Sequence, residues 1–221
     1  MSFNIAIDGP AGAGKSTIAK QLAKNLGVVY VDTGAMYRAM AYYFITNGID
    51  ADDIAKIMEA CNHVDVTITY ENGVQNVWLN GENVSDKIRT EEVGKMASTT
   101  SVYPVVRNKL VELQQQLAAK TDVIMDGRDI GTVVLPHADV KIYMTASSAI
   151  RAKRRFDELT AKGVECNLEE IEKDIIERDY RDMNRETSPL KKADDAVELD
   201  TSYLDIDGVV AAMKEIIEKA R

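Results

Sequence analysis

The sequence predicts a three-layer α/β fold in which helices cover both faces of a five-stranded parallel sheet. Short β-branched apolar segments alternate along the chain with segments whose apolar residues recur at helical spacing. A glycine-rich loop joins the first predicted strand to the first predicted helix. One segment with strict alternation of polar and apolar residues interrupts this pattern and predicts a small antiparallel insertion. We therefore expect one domain with an insertion over the 221 residues.

The glycine-rich loop, residues 9–16, fits G-x-x-x-x-G-K-[ST] at every defined position. The apolar run at residues 3–7 predicts a strand before it, and helical spacing up to Gly27 predicts a helix after it. In this context backbone N–H groups and the helix N-terminus bind an anion, which disfavours a simple connecting turn. We expect Lys15 to reach the β- and γ-phosphates of a nucleoside triphosphate and Ser16 to ligate Mg²⁺. The predicted triphosphate-binding residues of this loop are Gly9, Pro10, Ala11, Gly12, Ala13, Gly14, Lys15, Ser16 and Thr17.

The remaining elements follow from hydrophobic periodicity. Further strands are predicted at residues 28–31, 122–125, 140–144 and 196–199. Helices are predicted at residues 33–47, 50–62, 90–100, 148–162, 168–186 and 205–221, with one more after Pro104. Between residues 64 and about 88, the pairs Asn72-Gly73 and Asn80-Gly81 predict hairpin turns, and we expect Trp78 to pack this small sheet. The expected organisation is a core of residues 1–63, 89–147 and 194–221, an insertion at about 64–88 and a helical lid at about 148–190.

Charge and composition narrow the possible functions. The net charge of −9 argues against a nucleic-acid polymer as partner. Seven of the eleven arginines nevertheless fall between residues 128 and 185, which suggests that several phosphates gather at one small site. The sequence contains no long apolar run and no leader pattern, and its two cysteines, Cys61 and Cys166, fit no metal-binding spacing. We therefore expect a cytoplasmic protein without a membrane partner.

Three polar features point to an anionic substrate near the loop. Arg38 lies in the first turns of a predicted helix, where a cation is unfavourable unless an anion lies nearby. Asp126 follows a predicted core strand, at the edge of the sheet where ligands bind, and is placed to organise Mg²⁺ and its waters. The spacing of Arg178, Arg181 and Arg185 predicts one shared helix face, and the weakly apolar character of residues 148–186 predicts a mobile lid. An ordinary solvated surface with ion pairs within the helix is the alternative.

Four segments together resemble the cytidylate kinase family of bacteria, in the nucleoside monophosphate kinase branch of P-loop proteins. These segments are residues 7–16, 32–38, 126–134 and 177–185. The resemblance covers nearly the whole chain and implies transfer of the γ-phosphoryl group of ATP to CMP or dCMP with Mg²⁺, by a monomer. The acceptor-binding residues that it implies are Thr33, Arg38, Ser98, Arg107, Arg128, Asp129, Arg178, Asp182 and Arg185. Several relatives have Ser in place of Thr33, and some monophosphate kinases have Gly in place of Ser16. This chain has a hydroxyl at both positions.

Within this resemblance, the chemistry of cytosine suits Asp129. The exocyclic amino group donates to a carboxylate, with Ser98 and Arg107 donating to the ring, whereas uracil would oppose an acceptor to that carboxylate. We expect Arg38, Arg128 and Arg178 at the acceptor phosphate, and Asp182 and Arg185 at the sugar. The expected catalytic residues are Lys15, Arg128, Arg154 and Arg181, with Arg154 also contacting ATP. Two alternatives stay open: a nucleotide switch, although no guanine-reading segment follows a late strand, and a kinase for shikimate or another nucleoside monophosphate.

Overall fold

The computed structural model describes residues 2–71 and 73–220. The described residues form eight strands: β1 (Asn4–Asp8), β2 (Val29–Asp32), β3 (Val66–Glu71), β4 (Val74–Leu79), β5 (Glu82–Asn83), β6 (Val123–Gly127), β7 (Val140–Thr145) and β8 (Val197–Asp200). Five of them pair in parallel in the order β2-β6-β1-β7-β8, which confirms the predicted sheet. Asp8 of β1 pairs with Gly127 and Asp32 of β2 pairs with Asp126, so these polar residues meet at the carboxyl edge of the sheet.

Eight α-helices connect and flank the strands in the described chain: α1 (Lys15–Leu26), α2 (Thr33–Thr46), α3 (Ile54–His63), α4 (Glu91–Thr100), α5 (Pro104–Ala118), α6 (Ser148–Ala161), α7 (Leu168–Asn184) and α8 (Ile206–Ala220). The predicted helices are confirmed with small shifts at their ends. The largest shift is in α3, which begins at Ile54 and not at residue 50, because the Asp53 carboxylate accepts from the N–H of Lys56 and caps the helix there. The sequence did not predict a short π-helical turn at Ile130–Val134.

The central strands β1 and β6 bury apolar residues on both faces, as a covered parallel sheet requires. On one face, Ile5 and Ile7 of β1 pack with Leu22 of α1 and Met213 of α8. On the other face, Met125 of β6 packs in a second cluster that includes the π-helical turn. The two layers fix the position of the sheet edge from which the phosphate loop and the acidic residues project.

The insertion is a three-stranded antiparallel sheet in the order β3-β4-β5. Asn80 and Gly81 both have positive φ, 49° and 81°, which matches the predicted hairpin turn. Of the other predicted turn, Asn72 lies outside the described residues. Trp78 donates from its indole nitrogen to the Thr69 hydroxyl at 2.8 Å, so it packs within this sheet as predicted.

The helices α6 and α7 contact each other and bury few apolar side chains. Their buried residues are Arg151 and Ala152 on α6, and Ile175, Asp179 and Asp182 on α7. Arg181 is exposed and lies outside the cavity that Arg178 and Arg185 line, although it borders a smaller depression together with Arg185. Residues seven apart return to nearly the same face, whereas a residue three apart lies about 60° away. Among the described residues, none of the helices is both long and apolar enough to span a membrane.

Candidate active site

A cavity of about 870 Å³ opens at the carboxyl edge of the main sheet. It is lined by the phosphate loop, the start of α2, the residues after β6, and parts of α4, α6 and α7. Of the residues predicted for the site, only Gly9, Pro10 and Arg181 do not line it; Arg181 borders a smaller depression beside Tyr103 and Tyr180. The cavity therefore brings together nearly all side chains that the sequence singled out.

The phosphate loop needs glycine at both of its ends. A Cβ on Gly9 would lie 1.9 Å from the carbonyl oxygen of Met144 on the neighbouring strand β7, so no side chain fits there. Gly14 adopts φ of 86° and precedes α1 without a side-chain cap. The N–H groups of the first turn of α1 therefore stay available to an anion in the cavity.

Lys15 is buried at the floor of the loop. Its ammonium donates to the carbonyl oxygens of Gly9 and Pro10, each at 2.7 Å. Burial and then the positive charge of Arg128 hold the pKa of Lys15 well below its ordinary value. Its hydrogen-bond acceptors are neutral carbonyls, so an anionic group entering the loop would stabilise the charged form.

Ser16 and Asp126 meet as the sequence predicted. The Ser16 hydroxyl donates to one oxygen of Asp126 at 2.8 Å, and the Tyr30 hydroxyl donates to the other at 2.8 Å. Burial and then the negative charge of Asp32 raise the pKa of Asp126. A hydroxyl and a carboxylate are hard oxygen ligands that fit Mg²⁺, which takes one or two carboxylates and completes its shell with water and phosphate. The role of Tyr30 was missed because a tyrosine in a buried strand carries no sequence signal.

On the opposite side of the cavity, guanidinium groups alternate with carboxylates. Arg107 forms a buried ion pair with Asp129, and Arg185 lies 3.8 Å from the same carboxylate. Arg128 donates from Nε to Asp182 at 2.9 Å. Burial alone would raise the pKa of Asp182, but the adjacent arginines hold it below its ordinary value. This half of the cavity is strongly polar and largely screened from water.

Five buried donors in this region make no hydrogen bond in the described structure: Arg38 Nε, Ser98 Oγ, Arg107 Nε, Arg178 Nε and Arg185 Nη2. A buried polar group without a partner costs roughly 1–3 kcal/mol. Burial and then the charge of Arg128 lower the pKa of Arg178 to about 10. A ligand rich in acceptors and negative charge would satisfy these groups together, so the five atoms outline a site for a phosphorylated molecule.

Arg151 and Asp179 fasten α6 and α7 to the phosphate loop. Asp179 accepts from the N–H of Ala11 at 3.1 Å, and Arg151 donates to Asp179 at 2.6 Å and to the carbonyl oxygen of Ala11 at 2.8 Å. Sequence reasoning missed this contact because it joins residues 168 positions apart.

Arg154 lies one turn further along α6. It donates to the carbonyl oxygen of Thr201 at 2.6 Å, in a loop that lines the cavity through Leu204, Asp205 and Ile206. Sequence reasoning also missed this loop, since it contains no glycine-rich or charged motif.

Fold and cavity together define a P-loop kinase, with a phosphate loop at one end and an anion-binding pocket at the other. The structure of a gluconokinase from Sinorhizobium meliloti 1021 matches 99% of this chain and 93% of its own with a TM-score of 0.52 and 11% identity, which supports the fold alone.

The model of the cytidylate kinase family matches residues 5–219. A cytidylate kinase of Lactobacillus johnsonii is 54% identical over 217 residues, which are 98% of this chain and 94% of that protein. A cytidylate kinase of Streptococcus suis strain 05ZYH33 is 49% identical over 221 residues, or 100% and 97% of the two chains. The chain belongs to the cytidylate kinase family, as the four sequence segments suggested.

Proposed function

We propose that this chain transfers the γ-phosphoryl group of ATP to CMP or dCMP, releasing ADP and the diphosphate product. The family membership supports this reaction. The observation that carries it is the set of five buried donors without a hydrogen bond opposite the phosphate loop, in one cavity of about 870 Å³. That space accommodates two nucleotides whose phosphates meet between the loop and the arginines.

The acceptor nucleotide is placed by three groups of side chains. Arg38, Arg128 and Arg178 bind its phosphate, since their guanidinium groups converge on one region of the cavity. Asp129 accepts a hydrogen bond from the exocyclic amino group of cytosine, and Ser98 and Arg107 donate hydrogen bonds to the ring. Asp182 and Arg185 contact the sugar, and Thr33 supports the site by donating to the carbonyl oxygen of Asp126 at 2.7 Å.

The donor triphosphate occupies the phosphate loop from Gly9 to Thr17, and Lys15 stabilises the charge on its terminal phosphates. Ser16, with Asp126 through water, holds Mg²⁺, which neutralises charge on the transferring group when bound. The acceptor phosphate oxygen is already anionic, so no strong general base is required.

Three arginines complete the catalytic machinery: Arg128 after β6, Arg154 on α6 and Arg181 on α7. Arg128 and Arg154 line the cavity and surround the transferring group. Arg181 reaches it only if α7 moves, so its catalytic role requires closure of the lid at residues 148–190.

The proposed organisation also includes an insertion at about 64–88 and a core of residues 1–63, 89–147 and 194–221. We place the protein in the cytoplasm as a monomer without a nucleic-acid polymer as substrate, supported by its acidic charge and its two free thiols.

A coupled ADP-release assay across CMP, dCMP, UMP, AMP, GMP and shikimate tests the assignment. We expect the highest kcat/KM with a cytidine nucleotide and with ATP in preference to GTP. A best rate with any other acceptor would overturn the role of Asp129. Binding of guanine nucleotides in preference to adenine nucleotides would favour a nucleotide switch instead.

A further inference from the structure

Asp8, the last residue of β1, has no place among the site residues named above. Its side chain is buried beside the loop that carries Asp129. One oxygen accepts from the N–H of Ile130 at 2.8 Å, and the other accepts from the N–H of Gly131 at 2.7 Å. A single carboxylate from another strand thus satisfies the two backbone donors that follow Asp129.

This arrangement explains why the Asp129 carboxylate does not cap the helical turn that follows it. Asp129 precedes the π-helical turn at Ile130–Val134, and an aspartate at the start of a helical turn normally accepts from one of the N–H groups that follow it. Asp129 makes no such bond. Because Asp8 already accepts from Ile130 and Gly131, the Asp129 carboxylate is free to pair with Arg107 and to face the cavity.

We propose that Asp8 is a positioning residue for base discrimination, which acts by keeping the Asp129 carboxylate directed at Arg107 and the cavity. The inference rests on the proposed base-reading role of Asp129. Without the Asp8 carboxylate, the N–H groups of Ile130 and Gly131 lose their acceptors, and Asp129, which directly precedes them in the chain, can replace it. Asp129 would then turn toward its own backbone and away from the base.

The surroundings of Asp8 fit this role. Burial and the nearby Asp129 raise the pKa of Asp8 to about 6, although its two backbone hydrogen bonds and Lys15 oppose the shift. Lys141 packs against Gly131 beside the Asp8 carboxylate, and Tyr143 lies opposite Asp8 in the neighbouring strand. An ionised carboxylate is therefore held in a costly position, where its two hydrogen bonds serve the loop after Asp129.

The test compares the CMP-to-UMP ratio of kcat/KM in Asp8→Asn, Asp129→Asn and the double variant. Asparagine has the size of aspartate but replaces one acceptor oxygen by a donor, so one backbone N–H group loses its acceptor. We expect the ratio to fall about tenfold in Asp8→Asn, with the KM for ATP within about twofold of the unmodified protein. We also expect the double variant to discriminate no worse than Asp129→Asn alone, because both changes act through one carboxylate.

The matched control is Asp139→Asn. Asp139 accepts from the N–H of Asn4 at 2.7 Å, at the other end of β1 and away from the cavity, so its variant should keep the ratio. Gly131→Ala is a second perturbation, should Asp8→Asn fail to fold. Its Cβ would lie 3.4 Å from the Asp8 carboxylate and 3.2 Å from Lys141, and the ratio should again fall.

The possible outcomes separate the two claims. Equal loss of activity with CMP and UMP, or an unchanged ratio, in the Asp8 or Gly131 variant would overturn the positioning role and leave the proposed function intact. An unchanged ratio in Asp129→Asn would overturn the assignment of Asp129 itself, and the inference with it. Additive losses in the double variant would show that Asp8 acts independently of Asp129, which also contradicts the inference.

Discussion

Removal of Arg151 tests how firmly α6 and α7 hold the phosphate loop. The Arg151 guanidinium donates to Asp179, to the carbonyl oxygen of Ala11 and to that of Ala146, and the Arg151–Asp179 side chains are no more than 10% exposed. Loss of one partner from a buried ion pair costs about 3–5 kcal/mol, because the other charge stays buried without compensation. For a chain of this length, we expect Arg151→Ala to lower the Tm by on the order of 10 °C.

The double variant Arg151→Met/Asp179→Leu separates stability from function. Replacement of both charges by apolar side chains of similar volume is often neutral or stabilising, so most of the lost stability should return. The N–H of Ala11, however, loses its acceptor in the phosphate loop. We therefore expect a stable protein whose KM for ATP is raised about tenfold.

Urea unfolding and steady-state kinetics measure the two effects. Lys153→Ala is the control, since Lys153 pairs with Asp157 on the exposed side of α6 and should contribute less than about 1 kcal/mol. A loss below about 1 kcal/mol in Arg151→Ala would refute the stability argument. An unchanged KM for ATP in the double variant would refute the connection to the phosphate loop.

Three further predictions follow from single buried groups in or beside the cavity. Ser98→Ala removes a buried hydroxyl without a hydrogen-bond partner, so the stability of the substrate-free protein should stay unchanged while the KM for CMP rises several-fold. The control is Thr99→Ala, which loses a hydroxyl bonded to the carbonyl oxygen of Lys95 and should leave that KM unchanged. Lys15→Met should abolish turnover yet raise the Tm of the nucleotide-free protein at pH 7. Because the pKa of Lys15 is lowered in the folded state, its charged form destabilises the fold at any pH below the ordinary pKa of lysine. An unchanged or lower Tm would contradict this. The pKa of Asp8 is raised from 3.8 to about 6, so the folded state binds the proton more tightly than the unfolded state. Between pH 7 and pH 5, the unmodified protein should therefore gain about 1 kcal/mol of stability relative to Asp8→Asn. Equal pH profiles of the two proteins in urea unfolding would contradict the raised pKa.

The sequence predicted the sheet and the phosphate loop well, because both depend on local patterns. The phosphate loop needs a strand, a helix and fixed glycines within a short stretch, and periodicity reveals each of them. The Ser16–Asp126 contact was also predictable, since parallel strands end at one edge of the sheet. Helix ends were less predictable where a side chain such as Asp53 competes to define the cap.

The interactions that hold the site in place could not be predicted in the same way. Tyr30, Asp8 and Asp179 act through contacts between elements far apart in sequence, and each residue type is common in ordinary cores or helices. Arg181 shows that a local pattern can also mislead. Its spacing from Arg178 and Arg185 predicted a place in the cavity, but the rotation of α7 directs its side chain outward. Which face of a helix is buried depends on its partners, and for α7 these are α6 and the phosphate loop.

Carboxylates in the cavity keep its arginines in place until an anion arrives. Without substrate, Asp129 pairs with Arg107 and Asp182 pairs with Arg128, so four charges lie in a space screened from water. Arg107 Nε, Arg178 Nε and Arg185 Nη2 nevertheless make no hydrogen bond, so these buried donors stay available to an acceptor. The carboxylates thus limit the repulsion among the cations without saturating them. In the proposed function, a substrate would meet Arg107 and Arg128 already held in place by these carboxylates, which limits the reorganisation needed on the side of the cavity that does not belong to α7.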